Sequence, residues 1–329
     1  MLAAACGGDD SGSAAEGSGD AKRIGLVYDV GGLGDQGFND AALVGLTRVE
    51  DELGLRVQTF ETDDTGSDRE DLLRLLAGDG FGLVIGVGAA FGPAVDDVAP
   101  DYPGVSFAIV DDDGTDLPNV TSLVFADEQG AYLVGAAAAL LSPSHHLGFV
   151  GGQDDERTRR AQAGFIAGAR RVVPLAKVEV AFLPAPAEGA AIDPALVRDA
   201  ALAQYAAGAD VLFGAPAGVS STLVAAATER GAGAKAIGFG RDLAASADPA
   251  QRGAILTSMV QHVDLVVFDV IQLFAEGGLD AGTLSFGVPD GALDASATGG
   301  SLPADVQNQL DDLEAQLVAG QIQVPSTPS

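Results

Sequence analysis

Cysteine, basic residues and long apolar runs are all scarce in this chain of 329 residues. Cys6 is the single cysteine, so no internal disulfide can form. Lys and Arg number 17 against 47 Asp and Glu, which gives a formal net charge of −30. A nucleic-acid backbone or an anionic lipid surface requires a basic footprint that this sequence lacks, so we expect no nucleic-acid partner. No apolar run approaches the ~20 residues that a membrane-spanning helix needs.

The body of the chain alternates between strand and helix patterns. Hydrophobic residues make up 47% of the sequence, enough for a core in each of the two domains that the length suggests. Short apolar runs predict strands at Arg23–Val30, Val57–Phe60, Leu83–Val87, Val105–Val110, Val120–Phe125, Leu147–Val150, Val178–Leu183, Val211–Phe213, Ala236–Phe239, Ile255–Val260 and Leu284–Val288. Helical periodicity predicts helices at Asp40–Leu53, Asp68–Leu76, Pro93–Val98, Gly130–Leu141, Arg157–Val172, Pro194–Ala207, Val219–Arg230, Val263–Ala275 and Ala304–Val318. This alternation predicts an α/β protein with parallel sheets covered by helices.

The pattern runs through two series of strands, one beginning at Arg23 and the other at Leu147. We therefore predict two Rossmann-like lobes. Open α/β sheets bind ligands at the carboxyl ends of their strands, so the loops after strands are the places to look for a site.

The loop after the first predicted strand contains GLGDQG, a formal match to the G-x-G-x-x-G motif of dinucleotide-binding proteins. Asp29 and Asp35 flank the place where a pyrophosphate would lie, and no cation is near them in the sequence, so the local charge opposes a polyanion. Phe38 and Asn39 also occupy the start of the following helix. A glycine-rich turn that binds nothing is a further alternative.

The side chains of this loop favour a small-molecule site. The Asp29 carboxylate can accept hydrogen bonds from a sugar hydroxyl or an exocyclic amine. The Phe38 ring can stack on a planar base, and the Asn39 amide both donates and accepts hydrogen bonds. An aromatic wall with a few placed polar groups is typical of small-molecule pockets.

The segment GLVYDVGGLGDQGFND resembles the signature of the basic membrane lipoprotein family, the purine nucleoside receptor A-like substrate-binding proteins of ABC transporters. Members of that family read approximately D-x-G-G-x-x-D-x-S-F-N at this loop. Other matching segments follow in the family's order, namely VSFAIVD at Val105–Asp111, LPNV at Leu117–Val120, LGFVGG at Leu147–Gly152 and GFIAG at Gly164–Gly168. The resemblance covers about Arg23 to Val324.

This resemblance implies the type I periplasmic binding protein fold, in which two lobes joined by three crossovers enclose a ligand. It places residues 22–128 and 259–285 in the first lobe and residues 129–258 and 286–325 in the second. Residues 1–21 would form a tether and residues 326–329 a frayed tail. We expect a monomer.

The resemblance also implies ligand-binding residues in the first lobe. Asp29, Phe38 and Asn39 match the family's contacts to a nucleoside, and Asp111 matches the acidic residue that ends its F-x-x-x-D strand. A solvated acidic turn is the alternative role for Asp111.

The second lobe departs from the family pattern at three places. Phe182 begins FLPAP where members have G-S-F-x-D, and Gly240 replaces the first acidic residue of G-x-D-x-D-Q while Asp242 is retained. Gln261 stands where many members have lysine. Arg241 is an added cation near the cleft that either receives an anion or serves as a surface or lobe-bridging arginine. Phe182, Arg241 and Asp242 therefore remain candidates, and the ligand's identity stays open.

Residues Leu2 to Cys6 resemble the lipobox of a bacterial lipoprotein, in which small residues precede a lipidated cysteine. A Gly/Ser/Asp/Glu stretch follows and is typical of a flexible tether. We therefore expect a protein held on the cell surface or the periplasmic side of a membrane through Cys6 alone.

The function that we predict is capture of a small, nucleoside-like ligand for an ABC permease, with no catalysis and no cofactor. A regulator of the same fold is one alternative, although about 22 residues before the first strand are few for a helix-turn-helix module, and a nucleotide-dependent enzyme is another. His145, His146 and His262 form no metal-binding motif, so we expect no metal. Ser220 and Ser221 have no evident His and Asp partners for hydrolysis.

Overall fold

The computed structural model describes residues 23–185, 192–231, 233–296 and 302–328. The strands are β1 Ile24–Tyr28, β2 Val57–Glu61, β3 Leu83–Val87, β4 Ser106–Val110, β5 Val120–Phe125, β6 His146–Gly151, β7 Lys177–Phe182, β8 Val211–Ala215, β9 Lys235–Gly240, β10 Ile255–Gln261, β11 Gly282–Phe286 and β12 Leu293–Ala295. The helices are α1 Phe38–Arg48, α2 Arg69–Gly78, α3 Gly92–Val98, α4 Asp127–Leu141, α5 Glu156–Val172, α6 Pro194–Ala206, α7 Ala217–Arg230, α8 Leu243–Ser246, α9 Pro249–Arg252, α10 Val263–Glu276 and α11 Ala304–Val318.

The strands form two six-stranded sheets, and the predicted two-lobe α/β fold is confirmed. The first sheet has the order β11-β5-β4-β3-β1-β2 and all its neighbouring strands are parallel. The second has the order β12-β10-β9-β8-β6-β7, with β12 antiparallel to β10 and the other pairs parallel. Central strands such as β1 and β3 are buried along their whole length, which explains their continuous apolar sequences.

Local sequence explains most element boundaries. The predicted helix at Asp40–Leu53 is observed as α1 followed by one π-helical turn at Val49–Leu53, and it ends where predicted at Gly54, whose φ is +64°. Glycine readily adopts the left-handed conformation that this position requires. The short elements α8, α9 and β12 were not predicted, because three or four residues are too few to show a period.

The chain changes sheet three times. We expected crossovers near residues 128, 258 and 285. The first change lies between β5 and α4, and the third follows β11. The second falls after Gln261, because β10 pairs with β9 and β12 up to that residue. The following helix, α10, then packs on α1 of the first lobe.

Helices α4 and α5 approach closely because glycines lie where their backbones meet. A Cβ atom added to Gly168 of α5 would lie 1.9 Å from the carbonyl oxygen of Tyr132 on α4. Gly135 of α4 faces the carbonyl oxygen of Phe165 in the same way, at 2.2 Å from an added Cβ. This contact packs the two helices parallel to each other, with Gly164 of α5 beside Glu128 of α4, so the N-terminus of α5 extends beyond that of α4.

Candidate functional site

Several cavities lie along the cleft between the carboxyl ends of the two sheets. The largest, of about 650 Å³, lies between α1 of the first lobe and the β9–α8 loop of the second. A second, of about 210 Å³, is walled by Ala215, Pro216 and Phe239 of the second lobe. A third, of about 70 Å³, lies between Asp111 and Arg157. Volumes of 300–1,000 Å³ are usual for small-molecule sites, and only the first of these cavities reaches that range by itself.

The β1–α1 loop is held by the buried amide of Asn39, which is 2% exposed. Its Nδ2 donates to the carbonyl oxygens of Asp29 and Gly32, each at 3.1 Å, and its Oδ1 accepts from the backbone N–H of Asp29 at 3.1 Å. The amide is thus used within the loop. By these bonds Asn39 holds the backbone of the loop that leads to the adjacent Phe38.

The acidic side chains of the same loop occupy its backbone donors. The Asp35 carboxylate accepts from the N–H of Gly37 at 2.7 Å, and the Asp40 carboxylate accepts from Gly34 at 2.7 Å and Gln36 at 2.8 Å. A phosphate-binding loop presents such N–H groups to its ligand. The GLGDQG segment therefore has the spacing of a dinucleotide motif, but carboxylates already satisfy its donors.

Asp29 is paired with a cation that the sequence analysis did not identify. Its Oδ1 accepts from Nε of Arg69, at 2.8 Å, and Arg69 also donates to the carbonyl oxygen of Gly66 at 3.0 Å. The two residues lie 40 positions apart, on the loop after β1 and at the start of α2. This pair neutralises the charge of Asp29 at the first-lobe edge.

Phe38 is the first residue of α1, and its half-buried ring lines the largest cavity. The ring centroid lies 6.5 Å from that of Phe125, at an interplanar angle of 53°. The cavity continues to Arg241 and Asp242 of the second lobe. The structure thus brings one predicted aromatic residue and two predicted polar residues around a single space.

Asp111 directly follows β4 in a left-handed conformation, with φ of +70°, and lies against Arg157 of α5. Nη2 of Arg157 donates to the Asp111 carboxylate, and Nε donates to Oδ2 of Asp127 at 3.3 Å. Gln261 completes the cluster, because its Nε2 donates to Oδ1 of Asp127 at 2.8 Å. Burial raises the pKa of Asp111 to about 7, against the opposing effect of the Arg157 charge. Burial likewise raises the pKa of Asp127.

The predicted second-lobe residues have separate roles. Asp242 caps α8 by accepting from the N–H of Ala244 at 3.0 Å. Arg241 crosses the cleft and donates from Nη1 to the carbonyl oxygen of Gln36 at 3.0 Å. Phe182 packs on Phe149 with centroids 6.3 Å apart and is not among the residues that line the three cavities.

An aromatic wall of the second lobe comes instead from Phe239 on β9. Its ring stacks on Phe213, with centroids 6.1 Å apart and an interplanar angle of 25°, and it lines the 210 Å³ cavity opposite Pro216. A single phenylalanine in the strand pattern AIGFG gives no signal that separates a cavity wall from a core residue. Asp155 caps α5 by accepting from the N–H of Thr158 at 2.7 Å.

His262 links the two lobes at the second crossover. Its Nε2 lies 3.0 Å from Oδ2 of Asp294 on β12, and its Nδ1 lies 3.6 Å from Oδ1 of Asp264 on α10. Hydrogen bonds with Asp264 and Asp294 raise the pKa of His262 to about 10, so its imidazole is charged at neutral pH.

Across the ranges that the structure describes, no group of three His, Cys, Asp or Glu residues is arranged to hold a metal ion.

Residues 21–328 match the protein family described as ABC transporter substrate-binding protein PnrA-like. The chain belongs to this family. It is a family of substrate-binding proteins and not of enzymes, as the sequence resemblance implied. None of the helices described for this member is both long and apolar enough to cross a bilayer.

Individual relatives cover most of this PnrA-like chain. It is 28% identical to the "ABC transporter nucleoside-binding protein BmpA" of Lactococcus lactis subsp. cremoris, over 92% of this chain and 89% of that protein. It is also 28% identical to an "Uncharacterized lipoprotein" of Pyrococcus horikoshii, over 88% of this chain and 72% of that one. A solved structure of a "Transcriptional Activator of comK gene" from Bacillus halodurans aligns with a TM-score of 0.75 at 25% identity, covering 92% of this chain and 99% of that one.

Proposed function

We propose that this substrate-binding protein captures a nucleoside-like ligand between its lobes and delivers it to an ABC permease. The observation that carries the proposal is the position of Phe38, on the wall of an inter-lobe cavity of about 650 Å³. This volume lies within the usual range for small-molecule sites, and Gln261, His262 and Asp242 supply polar groups around it. The name of the Lactococcus relative, a nucleoside-binding protein, supports the ligand class.

The two sides of the cleft have complementary tasks in this proposal. The Phe38 ring stacks on the base, and Asn39 contributes by fixing the loop that carries the ring. Arg241 and Asp242 close this cavity from the second lobe, and Asp111, which follows β4, lines the neighbouring 70 Å³ cavity. Asp29 contributes from the loop after β1 through its ion pair with Arg69. Phe182 contributes indirectly, because it does not line the cavity but packs on Phe149 in the aromatic cluster of the second lobe.

Replacing Phe38 by alanine is expected to weaken nucleoside binding by about 5- to 150-fold, the loss expected from roughly 1–3 kcal/mol of stacking and burial. Calorimetry with inosine, guanosine, adenosine and the free bases measures this directly. Phe60 lies on the edge strand β2, outside the lining of the three cavities, so Phe60→Ala is the matched control and should bind as the wild type does. A wild-type protein that binds no nucleoside or base would contradict the ligand class, and unchanged binding by Phe38→Ala would contradict the site.

We further propose that Cys6 carries a lipid that holds the protein at the membrane, as the name of the Pyrococcus relative suggests. Cys6 lies outside the described residues. Changing Cys6 to serine in the full precursor is expected to move the protein to the soluble fraction and to reduce nucleoside uptake by the host cell. Unchanged membrane association would contradict the anchor.

A ligand-sensing role is the second candidate function, which the likeness to a transcriptional activator suggests. Unchanged nucleoside uptake in a strain without the protein would favour this role over transport.

A further inference from the structure

Arg157 joins the two lobes through a two-pronged contact with Asp111. It belongs to the first turn of α5 in the second lobe, whereas Asp111 directly follows β4 in the first. Nη2 donates to the Asp111 carboxylate while Nη1 donates to the Asp111 carbonyl oxygen at 3.2 Å. A guanidinium edge, with two N–H groups on one N–C–N unit, therefore occupies the hydrogen-bonding groups of Asp111.

The two partners differ in how easily they can move. The Asp111 side chain is 13% exposed and its backbone is fixed at the end of a central strand, whereas the Arg157 side chain is 37% exposed. Arg157 and Asp127 both line the 210 Å³ and the 70 Å³ cavities, so the Arg157 side chain lies where the two spaces meet. Moving Arg157 would join these spaces while its contact with Asp127 remained possible.

An Asp111 carboxylate without Arg157 requires other donors, because a buried acceptor that has no partner carries a large desolvation cost. Two carboxylates, Asp111 and Asp127, share the single guanidinium of Arg157. The cluster therefore favours an incoming group that is neutral or cationic and rich in donors, and it opposes a phosphate or carboxylate.

We propose, on the basis of the proposed function, that Arg157 is a specificity-determining residue which competes with the ligand for Asp111. The ligand that replaces it presents the same kind of edge, two N–H donors on one N–C–N unit. Among nucleosides this is the N1–H and 2-amino edge of a 2-amino-6-oxopurine such as guanosine. Inosine lacks the amino group, and adenosine presents an acceptor at N1, so neither reproduces the pair of donors.

The test compares guanosine with inosine by calorimetry, because the two differ only in the 2-amino group. The wild type is expected to prefer guanosine by about 10- to 100-fold, the discrimination expected when one hydrogen bond to a carboxylate is lost. Asp111→Asn, whose amide offers one oxygen and one donor group, is expected to bring that ratio close to one. Arg157→Gln cannot form the two-pronged contact and is expected to bind guanosine several-fold more tightly than the wild type does.

Arg159→Gln is the matched control for loss of an arginine ion pair on α5. Arg159 lies two residues after Arg157 on α5 and donates from Nη2 to Oδ2 of Asp154 at 2.7 Å, and it is not among the residues that line the three cavities. This variant should keep the wild-type ratio of the two affinities. Circular dichroism and a thermal melt establish that each variant is folded before it is titrated.

The outcomes separate this inference from the proposed function. Equal binding of guanosine and inosine by the wild type, or weaker guanosine binding by Arg157→Gln, overturns the competition for Asp111 and leaves nucleoside capture standing. If the wild type binds neither nucleoside, both proposals fall. A guanosine preference that Asp111→Asn abolishes and Arg159→Gln retains supports the inference.

Discussion

Replacing Gly168 by alanine is expected to lower the free energy of unfolding by about 2–4 kcal/mol, because the added methyl group meets backbone and not a flexible side chain. A Cβ atom at this position would lie 1.9 Å from the carbonyl oxygen of Tyr132 and 2.9 Å from its Cα. Helices α4 and α5 would have to separate, and the close-packed interior around them cannot absorb such a shift without cost. Urea denaturation with linear extrapolation measures the difference.

Gly218→Ala is the matched control, since Gly218 is also a helical glycine. It lies in α7, and the structure places no atom of the described residues within 4 Å of a Cβ added there. Alanine should stabilise this helix by up to about 1 kcal/mol through its higher helix propensity. A Gly168→Ala protein as stable as the Gly218→Ala protein would show that the α4–α5 contact tolerates the extra methyl group.

Replacing Asn39 by aspartate is expected to cost about 2–4 kcal/mol of stability and at least about tenfold in ligand affinity, because two donors are exchanged for a buried charge. The substitution keeps the shape of the side chain. The carbonyl oxygens of Asp29 and Gly32, which now accept from Nδ2 at 3.1 Å each, would face a carboxylate oxygen instead. The loop that carries Phe38 would then lose its fixed position.

Asn119→Asp is the control that separates the loss of stability from the loss of ligand affinity. The Nδ2 group of Asn119 donates to the carbonyl oxygens of Ala99, Tyr102 and Val105 at 3.0–3.1 Å, so the same change of chemistry occurs in another first-lobe loop. Asn119 is not among the residues that line the cleft cavities. We expect a comparable loss of stability with unchanged ligand affinity. Equal affinity losses in the two variants would show that Asn39 acts only through global stability.

The regular elements were predictable where burial alone determines the pattern. Strands β3 and β5 have the predicted bounds, because a strand buried on both faces requires a continuous apolar run. The GFIAG segment, which the sequence analysis could place only by resemblance, has a physical basis in helix packing, since Gly164 and Gly168 both face carbonyl oxygens of α4.

The contacts of the cleft were less predictable. Arg69 pairs with Asp29 across 40 residues and Arg157 with Asp111 across 46, and no local periodicity connects such positions. The role of Phe239 as a cavity wall was unpredictable for the same reason, because only the pairing of β8 with β9 brings its ring and Pro216 to the same cavity. Sequence reasoning could place carboxylates at strand ends, but it could not determine which of them would meet an arginine.

The pairing of β11 with β5 has a consequence for the order in which the polypeptide folds. The contact joins distant parts of the chain, as the hydrogen bond from Oγ1 of Thr121 to the carbonyl oxygen of Asp280, at 3.0 Å, illustrates. The edge of the first sheet therefore stays open until about residue 286 has left the ribosome, when β12 of the second sheet is still to come. Such long-range pairings form late because closing the intervening loop has an entropic cost. Neither sheet is therefore complete until the last of its strands in the sequence, β11 in the first sheet and β12 in the second, has been synthesised.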